Sequence, residues 1–280
     1  MKKNILIIGG NGYLGKNLTK YAKDLGHCVT VVSREKNKVA NKSIKINLAE
    51  NTFVINGSYD LIIHAAGASK NNKRIDEYLE GNVVLTRNLL DSIKNCEFKN
   101  FIYISAISLY NNADDKELNE NTKIINPDLY SQTKLLSESL IKETLKGSII
   151  LRIPGVVGRN APTSWPVRLN QQFKLKERIQ LFNPYDLYNH CIHMDSLAES
   201  IFKEIFFKEL CDNVYLMAAN NPIRIVDVAK IISGSDQEEF DLFSSNRKST
   251  TINSKKAIDN LEYRPWSVEE TLKKFKDDNA

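Results

Sequence analysis

The sequence predicts an α/β fold built on a parallel, doubly wound sheet, and three observations support this prediction. Short apolar runs alternate with longer amphipathic patterns through the first 153 residues, which is typical of strands joined by crossover helices. The runs are apolar almost throughout, as expected of strands that are covered on both faces of a sheet. From Pro154 onwards the elements shorten, and six of the seven prolines lie there. We therefore expect a smaller second lobe after the main sheet.

Each element is predicted from its local pattern. Strands are expected where apolar, β-branched runs lie, at residues 4–8, 28–32, 43–46, 61–64, 101–105 and 149–153. Helices are expected where apolar residues recur every three or four positions, at residues 13–25, 75–93, 129–145, 166–175, 195–207 and 224–232. The end of the chain, 273–280, is highly charged, and we expect it to be frayed.

The composition limits the classes of partner. The formal net charge is +5 and 42% of the residues are hydrophobic, both ordinary values for a globular protein. Lysine and arginine are scattered rather than clustered, which argues against nucleic acid as a partner. No apolar stretch approaches the about 18 residues that a membrane-spanning helix needs, and the run at 5–8 is too short for a signal peptide. We expect a cytoplasmic protein with no membrane partner.

The cysteines give no sign of a structural or metal role. They are Cys28, Cys96, Cys191 and Cys211. None forms a CxxC pair or lies beside clustered histidines, so no metal site and no disulfide framework is predicted.

A glycine triad follows the first predicted strand, in the stretch GGNGYLG. Such a loop turns tightly and lets the backbone approach a pyrophosphate without a Cβ in the way. The following helix then presents its N-terminal amides to the phosphates. Because the triad lies between a strand and an amphipathic helix, it predicts a dinucleotide-binding site. The expected contacts are Gly9, Asn11, Gly12, Tyr13, Leu14 and Gly15.

The predicted domain organisation combines this motif with the change of pattern at Pro154. Residues 1–153, together with about 186–215, are expected to form a Rossmann-type dinucleotide-binding domain. Residues about 154–185 and 216–280 are expected to form the smaller C-terminal α/β substrate lobe.

The end of the second strand favours NADP(H) over NAD(H). An NAD site usually has a carboxylate there for the ribose 2′-hydroxyl, whereas an arginine accommodates a 2′-phosphate. This chain has Ser33 and Arg34 at that point, followed by Lys36 and Lys38. Serine and arginine can both bond phosphate oxygens. NAD(H) stays open as an alternative, and so does a solvated basic turn.

Tyr130 and Lys134 form a YxxxK motif at the start of a predicted helix. The spacing of four places both side chains on one helical face. An ammonium beside a phenol favours the phenolate, so the tyrosine can exchange a proton with a substrate oxygen. The motif alone is common by chance, and an exposed helix pair explains it equally well.

Taken together, these motifs resemble the extended branch of the short-chain dehydrogenase/reductase superfamily, that is, the nucleotide-sugar epimerase/dehydratase/reductase family. The resemblance covers nearly the whole chain. It rests on GGNGYLG, LIIHAAG (61–67), NVVLTRNLL (82–90), FIYISAISLY (101–110), YSQTK (130–134), LRIPGVVG (151–158), NHCIHMDSLAESI (189–201) and the closing segment 254–272.

The resemblance implies roles for matching residues. Tyr130 is the implied proton donor or acceptor, and Lys134 binds the nicotinamide ribose and tunes Tyr130. Further cofactor contacts are implied for Asn47, Leu48, Ala65, Ala66, Gly67, Asn82, Ser105, Pro154 and Val157. The resemblance also implies a homodimer formed by helices 75–93 and 129–145. The spacing of Leu79, Val83, Thr86 and Leu90 agrees with this, although core packing explains it equally well.

The chain departs from the family pattern at several positions. Asn47 stands where aspartate is frequent, and Leu85 stands where the family has a glycine. Asn189 replaces an arginine that contacts the substrate diphosphate. The candidate replacements for that arginine are Arg152, Arg159, Arg168 and Arg247.

The departure with the largest chemical consequence is Ala106. Four residues before Tyr110, the family carries a serine or threonine that polarises the substrate carbonyl or hydroxyl. Losing one such donor removes about 2–4 kcal/mol of transition-state stabilisation. Alternation along a strand places Ser105 on the opposite face, so we take Ser108 as the replacement catalytic hydroxyl.

The same stretch bears on the reaction. The family's 4,6-dehydratases carry Thr-Asp-Glu where this chain has Ala106-Ile107-Ser108, and isoleucine supplies no acid or base for eliminating water. With Arg34, the sequence favours an NADPH-dependent reductase of a nucleotide-activated 4-keto-6-deoxy-sugar, as used in surface-polysaccharide biosynthesis. A nucleotide-sugar 4-epimerase with tightly bound NAD is the alternative. A non-catalytic NADP-binding protein is the second alternative.

Overall fold

The structure is a computed structural model that describes residues 2–70, 74–207, 213–234, 240–246 and 249–280. Packing divides the chain into two compact units. The first unit comprises Met1–Asn111, Ile124–Arg152 and Phe206–Tyr215. The second comprises Asn112–Lys123, Ile153–Ile205 and Leu216–Ala280.

The elements follow one another in α/β order. The strands are β1 (Asn4–Ile8), β2 (Cys28–Ser33), β3 (Lys42–Lys45), β4 (Ser58–His64), β5 (Glu97–Ala106), β6 (Glu117–Leu118), β7 (Ser148–Ile153), β8 (Gly155–Val157), β9 (Gln180–Phe182), β10 (Leu187–Tyr188), β11 (Cys191–His193), β12 (Asn213–Leu216), β13 (Ile223–Arg224), β14 (Asp241–Phe243) and β15 (Thr251–Ile252). The helices are α1 (Tyr13–Asp24), α2 (Ile75–Tyr78), α3 (Leu85–Ile93), α4 (Leu129–Thr144), α5 (Trp165–Lys174), α6 (Met194–Glu199), α7 (Ile225–Ser233), α8 (Lys255–Leu261) and α9 (Val268–Asp278).

A seven-stranded sheet forms the centre of the first unit, in the order β12-β7-β5-β4-β1-β2-β3. The pairs from β3 through β2, β1 and β4 to β5 are all parallel. The strand order reverses between β1 and β4, which is where doubly wound sheets bind ligands. The predicted Rossmann-type α/β fold is therefore confirmed.

The apolar strand sequences explain the sheet. Every side chain from Ile5 to Ile8 in β1 is buried with no exposed surface, as expected of a central strand covered on both faces. Two strands begin earlier than the sequence predicts, because Ser58 of β4 pairs with Glu97 of β5. The prediction also lacks β12, which is short and follows residues outside the described ranges.

The helix predicted at 75–93 is interrupted. A π-helical segment, Leu79–Val84, separates α2 from α3, and such widened turns are frequent at functional sites. It contains Asn82, whose side chain is buried and bonded to groups outside the helix. The helix predicted at 195–207 is broken in the same way, because α6 continues as a π-helical segment, Ser200–Glu204, and a 3₁₀ turn.

The expectation of a frayed C-terminus is wrong. Helix α9 runs to Asp278 and begins with a capping box between Ser267 and Glu270. Leu272 and Phe275 on its inner face are buried. The helical apolar period therefore continues into the charged segment, in which Lys273 and Asp277 are exposed.

The second unit is built from short strand pairs around α5 to α9. Strands β8 and β11 pair in parallel, and so do β9 with β14 and β6 with β15. Strand β11 pairs with β8, and residues 186–205 pack within this unit. The sequence predicts instead that residues about 186–215 belong to the dinucleotide-binding domain. Among the described residues, no helix has the length and apolar character to cross a membrane.

The glycine loop between β1 and α1 has three positions with no room for a side chain, Gly9, Gly10 and Gly15, and at Gly10 a Cβ would lie 2.4 Å from Cγ1 of Val31. Gly9 has φ +84°, and a Cβ there would lie 2.7 Å from the Cα of Ala66. A Cβ on Gly15 would lie 2.2 Å from the carbonyl oxygen of Gly9. Gly12 differs, because its Cβ would lie 3.4 Å from that same oxygen.

We therefore expect Gly15→Ala to lower the free energy of unfolding by about 1–3 kcal/mol, the usual cost of overpacking. Gly12→Ala is the matched control, and its loss should be clearly smaller. Urea unfolding followed by circular dichroism measures both variants. Equal losses in the two variants would contradict the geometry of the loop.

Candidate active site

Three motifs that are distant in the sequence meet at the carboxyl end of the sheet. The chain after β4 passes over the glycine loop, where Gly9 faces Ala66. A Cβ on Gly67 would lie 2.8 Å from Oδ1 of Asn82 and 3.9 Å from Nζ of Lys134. The glycine loop, the Ala65–Gly67 segment and the YxxxK helix thus form one cradle. The glycines allow this close approach of backbone, and the loop leads into the N-terminus of α1, so the residues present fit the pyrophosphate of a dinucleotide.

Asn82 holds this cradle together. Its Oδ1 accepts a hydrogen bond from the backbone N–H of Ala68 at 2.9 Å, and its Nδ2 donates to Oγ1 of Thr133 at 2.9 Å. The residue is only 1% exposed. The amide therefore joins the loop after β4 to α4, and the cofactor contact implied for Asn82 stays a prediction.

Lys134 is buried beneath the cradle. Its Nζ donates to the carbonyl oxygen of Ile104 at 2.8 Å and lies 4.3 Å from the ring centroid of Tyr103. Burial lowers the pKa of Lys134 to about 8, against the opposing attraction of the Glu138 carboxylate. The ammonium is consequently charged at neutral pH and fixed at the end of β5.

Tyr130 lies one helical turn before Lys134, in the first turn of α4. Its ring makes an edge-to-face contact with Tyr78, with the ring centroids 5.7 Å apart. Burial, and after it the negative charge of Asp128, raises the pKa of Tyr130 to about 12. The expectation that Lys134 would lower this pKa is therefore wrong for the protein as described, because burial outweighs the ammonium. Without a cofactor the phenol is therefore protonated throughout the physiological pH range, which suits a proton donor.

The turn after β5 places Ser108 against the start of α4. Ala106 ends β5, and Ser108 lies in the 3₁₀ turn Ile107–Tyr110. The Oγ atoms of Ser108 and Ser131 are 3.3 Å apart, and Oγ of Ser131 also donates to the backbone carbonyl of Ser108 at 3.2 Å. The structure thus brings Ser108 beside the residue that follows Tyr130. Sequence reasoning missed Ser131, although it lies within the YxxxK motif.

Ser105 faces a buried charged cluster. Its Oγ donates to Oε1 of Glu138 at 2.5 Å. Arg152 donates to both oxygens of Glu138, with Nη2 and Oε2 2.6 Å apart, and also bonds the hydroxyl of Tyr110. Because this hydroxyl is bonded to Glu138, a cofactor contact of Ser105 would have to be made by its backbone, and that contact stays a prediction.

Arg152 was one candidate for the missing diphosphate contact, and the structure contradicts that candidacy. Its side chain is 7% exposed, and its guanidinium is paired with Glu138 and Tyr110. Arg159 and Arg168 are exposed, and Arg247 lies outside the described residues, as does Cys211. Asn189, which replaces the arginine, is 2% exposed and bonds the backbone of Ala219 and Ile252.

The end of β2 is bonded to the glycine loop. Oγ of Ser33 and Nδ2 of Asn11 both donate to the carbonyl oxygen of Glu35, at 2.7 Å each. Asn37 donates to Oδ1 of Asn11 at 2.8 Å and to the carbonyl oxygen of Gly10 at 3.0 Å. Arg34 is exposed beside this network. Sequence reasoning missed Asn37, because its contact with the loop is non-local.

The remaining predicted cofactor residues divide between the two units. In the first, Tyr13 and Leu14 begin α1 and are partly buried, Oδ1 of Asn47 accepts from the backbone of Ala49 at 3.2 Å, and Leu48 is buried. In the second, Pro154 is buried just before β8, and Val157 within β8 pairs with His193. Their contacts with a cofactor stay predictions.

One histidine and two aspartates cluster in the second unit. Nε2 of His193 lies 3.1 Å from Oδ2 of Asp278, and Nδ1 accepts from the backbone N–H of Asp195 at 3.1 Å. Lys274 is paired with Asp278 and has Nζ 3.8 Å from Asp195. The Lys274 ammonium thus lies near both carboxylates. The indole of Trp266 stacks on the imidazole of His193.

Known proteins are similar to this chain in sequence. A dTDP-D-glucose 4,6-dehydratase of Dictyostelium discoideum is 27% identical over 272 residues, which are 82% of this chain and 61% of that protein. The chain thus spans less than two thirds of that relative's length. An ADP-L-glycero-D-manno-heptose-6-epimerase of Brachyspira hyodysenteriae is 24% identical over 257 residues, covering 81% of this chain and 80% of the relative.

The fold is shared with solved structures. A UDP-glucuronic acid 4-epimerase from Bacillus cereus, solved in complex with NAD, superposes with a TM-score of 0.79 at 19% identity and covers 98% of this chain and 97% of its own. Residues 5–203 match the sequence model of the NAD dependent epimerase/dehydratase family. This match covers well over half of the chain, and the chain therefore belongs to that family.

Proposed function

We propose that the protein is an NADPH-dependent reductase of a nucleotide-activated keto-sugar of the 4-keto-6-deoxy type. The observation that carries this proposal is the end of β2, where a hydroxyl and an exposed arginine stand in place of a carboxylate. It lies in the same unit as the Tyr130–Lys134 pair. We also propose that the first unit binds the cofactor and that the second supplies contacts to the sugar nucleotide.

The preference for NADP rests on charge. A carboxylate after β2 would bond the ribose 2′-hydroxyl and repel a 2′-phosphate, whereas Arg34 attracts one. The exposed carboxylate of Glu35 is paired with Lys45, with Oε2 and Nζ 3.2 Å apart, which reduces its repulsion. The Bacillus cereus structure binds NAD, so this preference would distinguish our chain from that neighbour.

The protein's part in the reaction is to orient and to protonate. When bound, the nicotinamide supplies the hydride for a substrate carbonyl. Tyr130 donates its proton to the resulting alkoxide, and the Lys134 ammonium stabilises the phenolate that remains. Ser108, held by Ser131, donates a hydrogen bond to the carbonyl oxygen in place of the hydroxyl absent at Ala106.

Dehydration is disfavoured, although one relative is a 4,6-dehydratase. Ile107 stands where such enzymes carry an acid, and it is an apolar side chain that is only 8% exposed. No proton can be taken from or given to the substrate there.

A nucleotide-sugar epimerase is the second candidate, favoured by the names of two relatives. It would use the same Tyr130 and Lys134 but return the hydride to the sugar, so it needs tightly held NAD and gives no net redox change. A non-catalytic NADP-binding protein is the third candidate, and Ala106 is the residue that suggests it.

We propose a homodimer through α2, the π segment and α4. Exposed apolar side chains lie on these elements: Ile75, Leu79, Val84, Leu129 and Leu136, at 37–51% exposure. The face predicted from the sequence is different, because Thr86 and Leu90 are buried within the first unit.

The proposed reaction is tested by incubating the protein with NADPH and a panel of nucleotide 4-keto-6-deoxy-sugars. We expect NADPH oxidation, and Tyr130→Phe should lower kcat by about 10²–10⁴-fold, the usual contribution of a general acid. Tyr78→Phe is the matched control and should keep most of the activity. Turnover with no redox change would favour the epimerase, and full activity in Tyr130→Phe would refute the role of this residue.

We expect Arg34→Ala to weaken NADPH binding by about tenfold or more, because a charge-assisted bond contributes about 1.5–3 kcal/mol. NADH binding should change little. Fluorescence titration of both cofactors measures the ratio of the two affinities. An equal loss of affinity for NADPH and for NADH would show that Arg34 does not contact the 2′-phosphate.

A further inference from the structure

The turn after β2 is tied to the glycine loop by two side-chain amides. Nδ2 of Asn37 donates to the carbonyl oxygen of Gly10 at 3.0 Å and to Oδ1 of Asn11 at 2.8 Å. Nδ2 of Asn11 donates to the carbonyl oxygen of Glu35 at 2.7 Å. We propose that Asn37 is a positioning residue that presents Arg34 to the 2′-phosphate of NADP and so helps to set the choice between NADP and NAD. The inference rests on the proposed role of Arg34.

The side chain of Asn37 is held in one orientation. Its Oδ1 accepts from the backbone N–H groups of Val39 and Ala40, at 2.9 Å and 2.8 Å, which closes a local turn of the kind that asparagine favours. The backbone N–H of Asn37 donates to Oγ of Ser43 in β3 at 2.8 Å. Asn37 is only 6% exposed, and a buried amide that loses its partners is costly. Because two backbone N–H groups face Oδ1, the Nδ2 donors must face the glycine loop.

The neighbouring polar side chains are bonded to the same turn. Oγ of Ser33 donates to the carbonyl oxygen of Glu35 at 2.7 Å, and Ser33 is 8% exposed. The amide of Asn11 is used at both ends, since its Nδ2 donates to Glu35 and its Oδ1 accepts from Asn37. Arg34 lies between Ser33 and Glu35 in the chain and is exposed. The bonds of Ser33, Asn11 and Asn37 therefore fix the backbone from which the Arg34 side chain extends.

The tie matters because one cofactor molecule contacts both segments. The pyrophosphate binds at the glycine loop, and the adenosine ribose, with its 2′-phosphate in NADP, binds at the end of β2. These two groups are separated by a short, fixed number of bonds in the cofactor. A turn that is held at one distance from the glycine loop therefore places Arg34 at the 2′-phosphate before binding, and such preorganisation raises affinity because less chain has to be ordered. NAD has no 2′-phosphate and gains nothing from the position of Arg34.

Two variants of Asn37 separate the tie from the local turn. In Asn37→Ser the hydroxyl can still accept from backbone N–H groups of the turn, but it is too short to reach Gly10 and Asn11. Asn37→Ala removes both sets of bonds. Asn41→Ala is the matched control, because Oδ1 of Asn41 accepts from the backbone N–H of Val29 at 2.9 Å. This bond lies in the same connection between β2 and β3 but joins it to β2 rather than to the glycine loop.

The measurement is a double-mutant cycle on cofactor affinity. Fluorescence titration of the full chain gives the Kd for NADPH and for NADH, with Arg34→Ala made alone and in the Asn37→Ser, Asn37→Ala and Asn41→Ala backgrounds. We expect Arg34→Ala to weaken NADPH binding about tenfold or more when made alone or with Asn41→Ala. With Asn37→Ser or Asn37→Ala the same change should cost only about threefold or less, because a residue that positions another is energetically coupled to it. NADH binding should show no such coupling.

The outcomes separate this inference from the proposed function. If Arg34→Ala costs the same NADPH affinity with and without Asn37→Ser, the positioning role of Asn37 is overturned, although Arg34 still discriminates between the cofactors. If Arg34→Ala alone weakens NADPH and NADH equally, the NADP preference itself is overturned. Thermal unfolding without cofactor reports the stability of each variant. An Asn37→Ser variant that is less stable and binds both cofactors more weakly by one factor, without coupling to Arg34, would show that Asn37 only supports the fold.

Discussion

The candidate site depends on how two buried charged side chains fix α4 on the sheet. Lys134 and Glu138 lie one helical turn apart; the first bonds the carbonyl of Ile104 and the second accepts from Ser105 and Arg152. These bonds set both the rotation and the height of α4 against β5 and β7. Glu138 and Arg152 form a buried ion pair, and removing one member of such a pair typically costs about 3–5 kcal/mol, because the other charge is left unpaired. The position of Tyr130 therefore follows from contacts made at Lys134 and Glu138.

Most of the fold could be predicted from the sequence, because its signals are local. Apolar runs such as 4–8 predict strands, and the glycine triad predicts the turn that Gly9 and Gly15 make. The interruption at Leu79–Val84 could not be predicted, since it depends on Asn82 bonding to Ala68 and Thr133. Likewise, the C-terminal helix α9 was not predicted, because the segment is highly charged and only Leu272 and Phe275 indicate its buried face.

The candidate site shows the same division. Tyr130, Lys134 and the glycines were predicted from spacing and from family resemblance. Ser131 and Asn37 were not, because each depends on a contact between distant segments. Arg152 shows the converse error: its charge suggested a diphosphate contact, but a buried carboxylate on another element already holds it. Residue type alone does not say which partner a charge has.

Family membership leaves the reaction open, and a few residues bear on it. Ala106 and Ile107 stand where the family resemblance implies a hydroxyl and, for its 4,6-dehydratases, an acid, while Ser33 and Arg34 stand where an NAD site usually has a carboxylate. The most direct test follows NADPH that carries deuterium at the transferred position of C4, with the sugar product analysed by mass spectrometry. A reductase places one deuterium in each product molecule and forms NADP⁺ in equal amount. A product without deuterium, formed while NADPH is not consumed, would contradict the account.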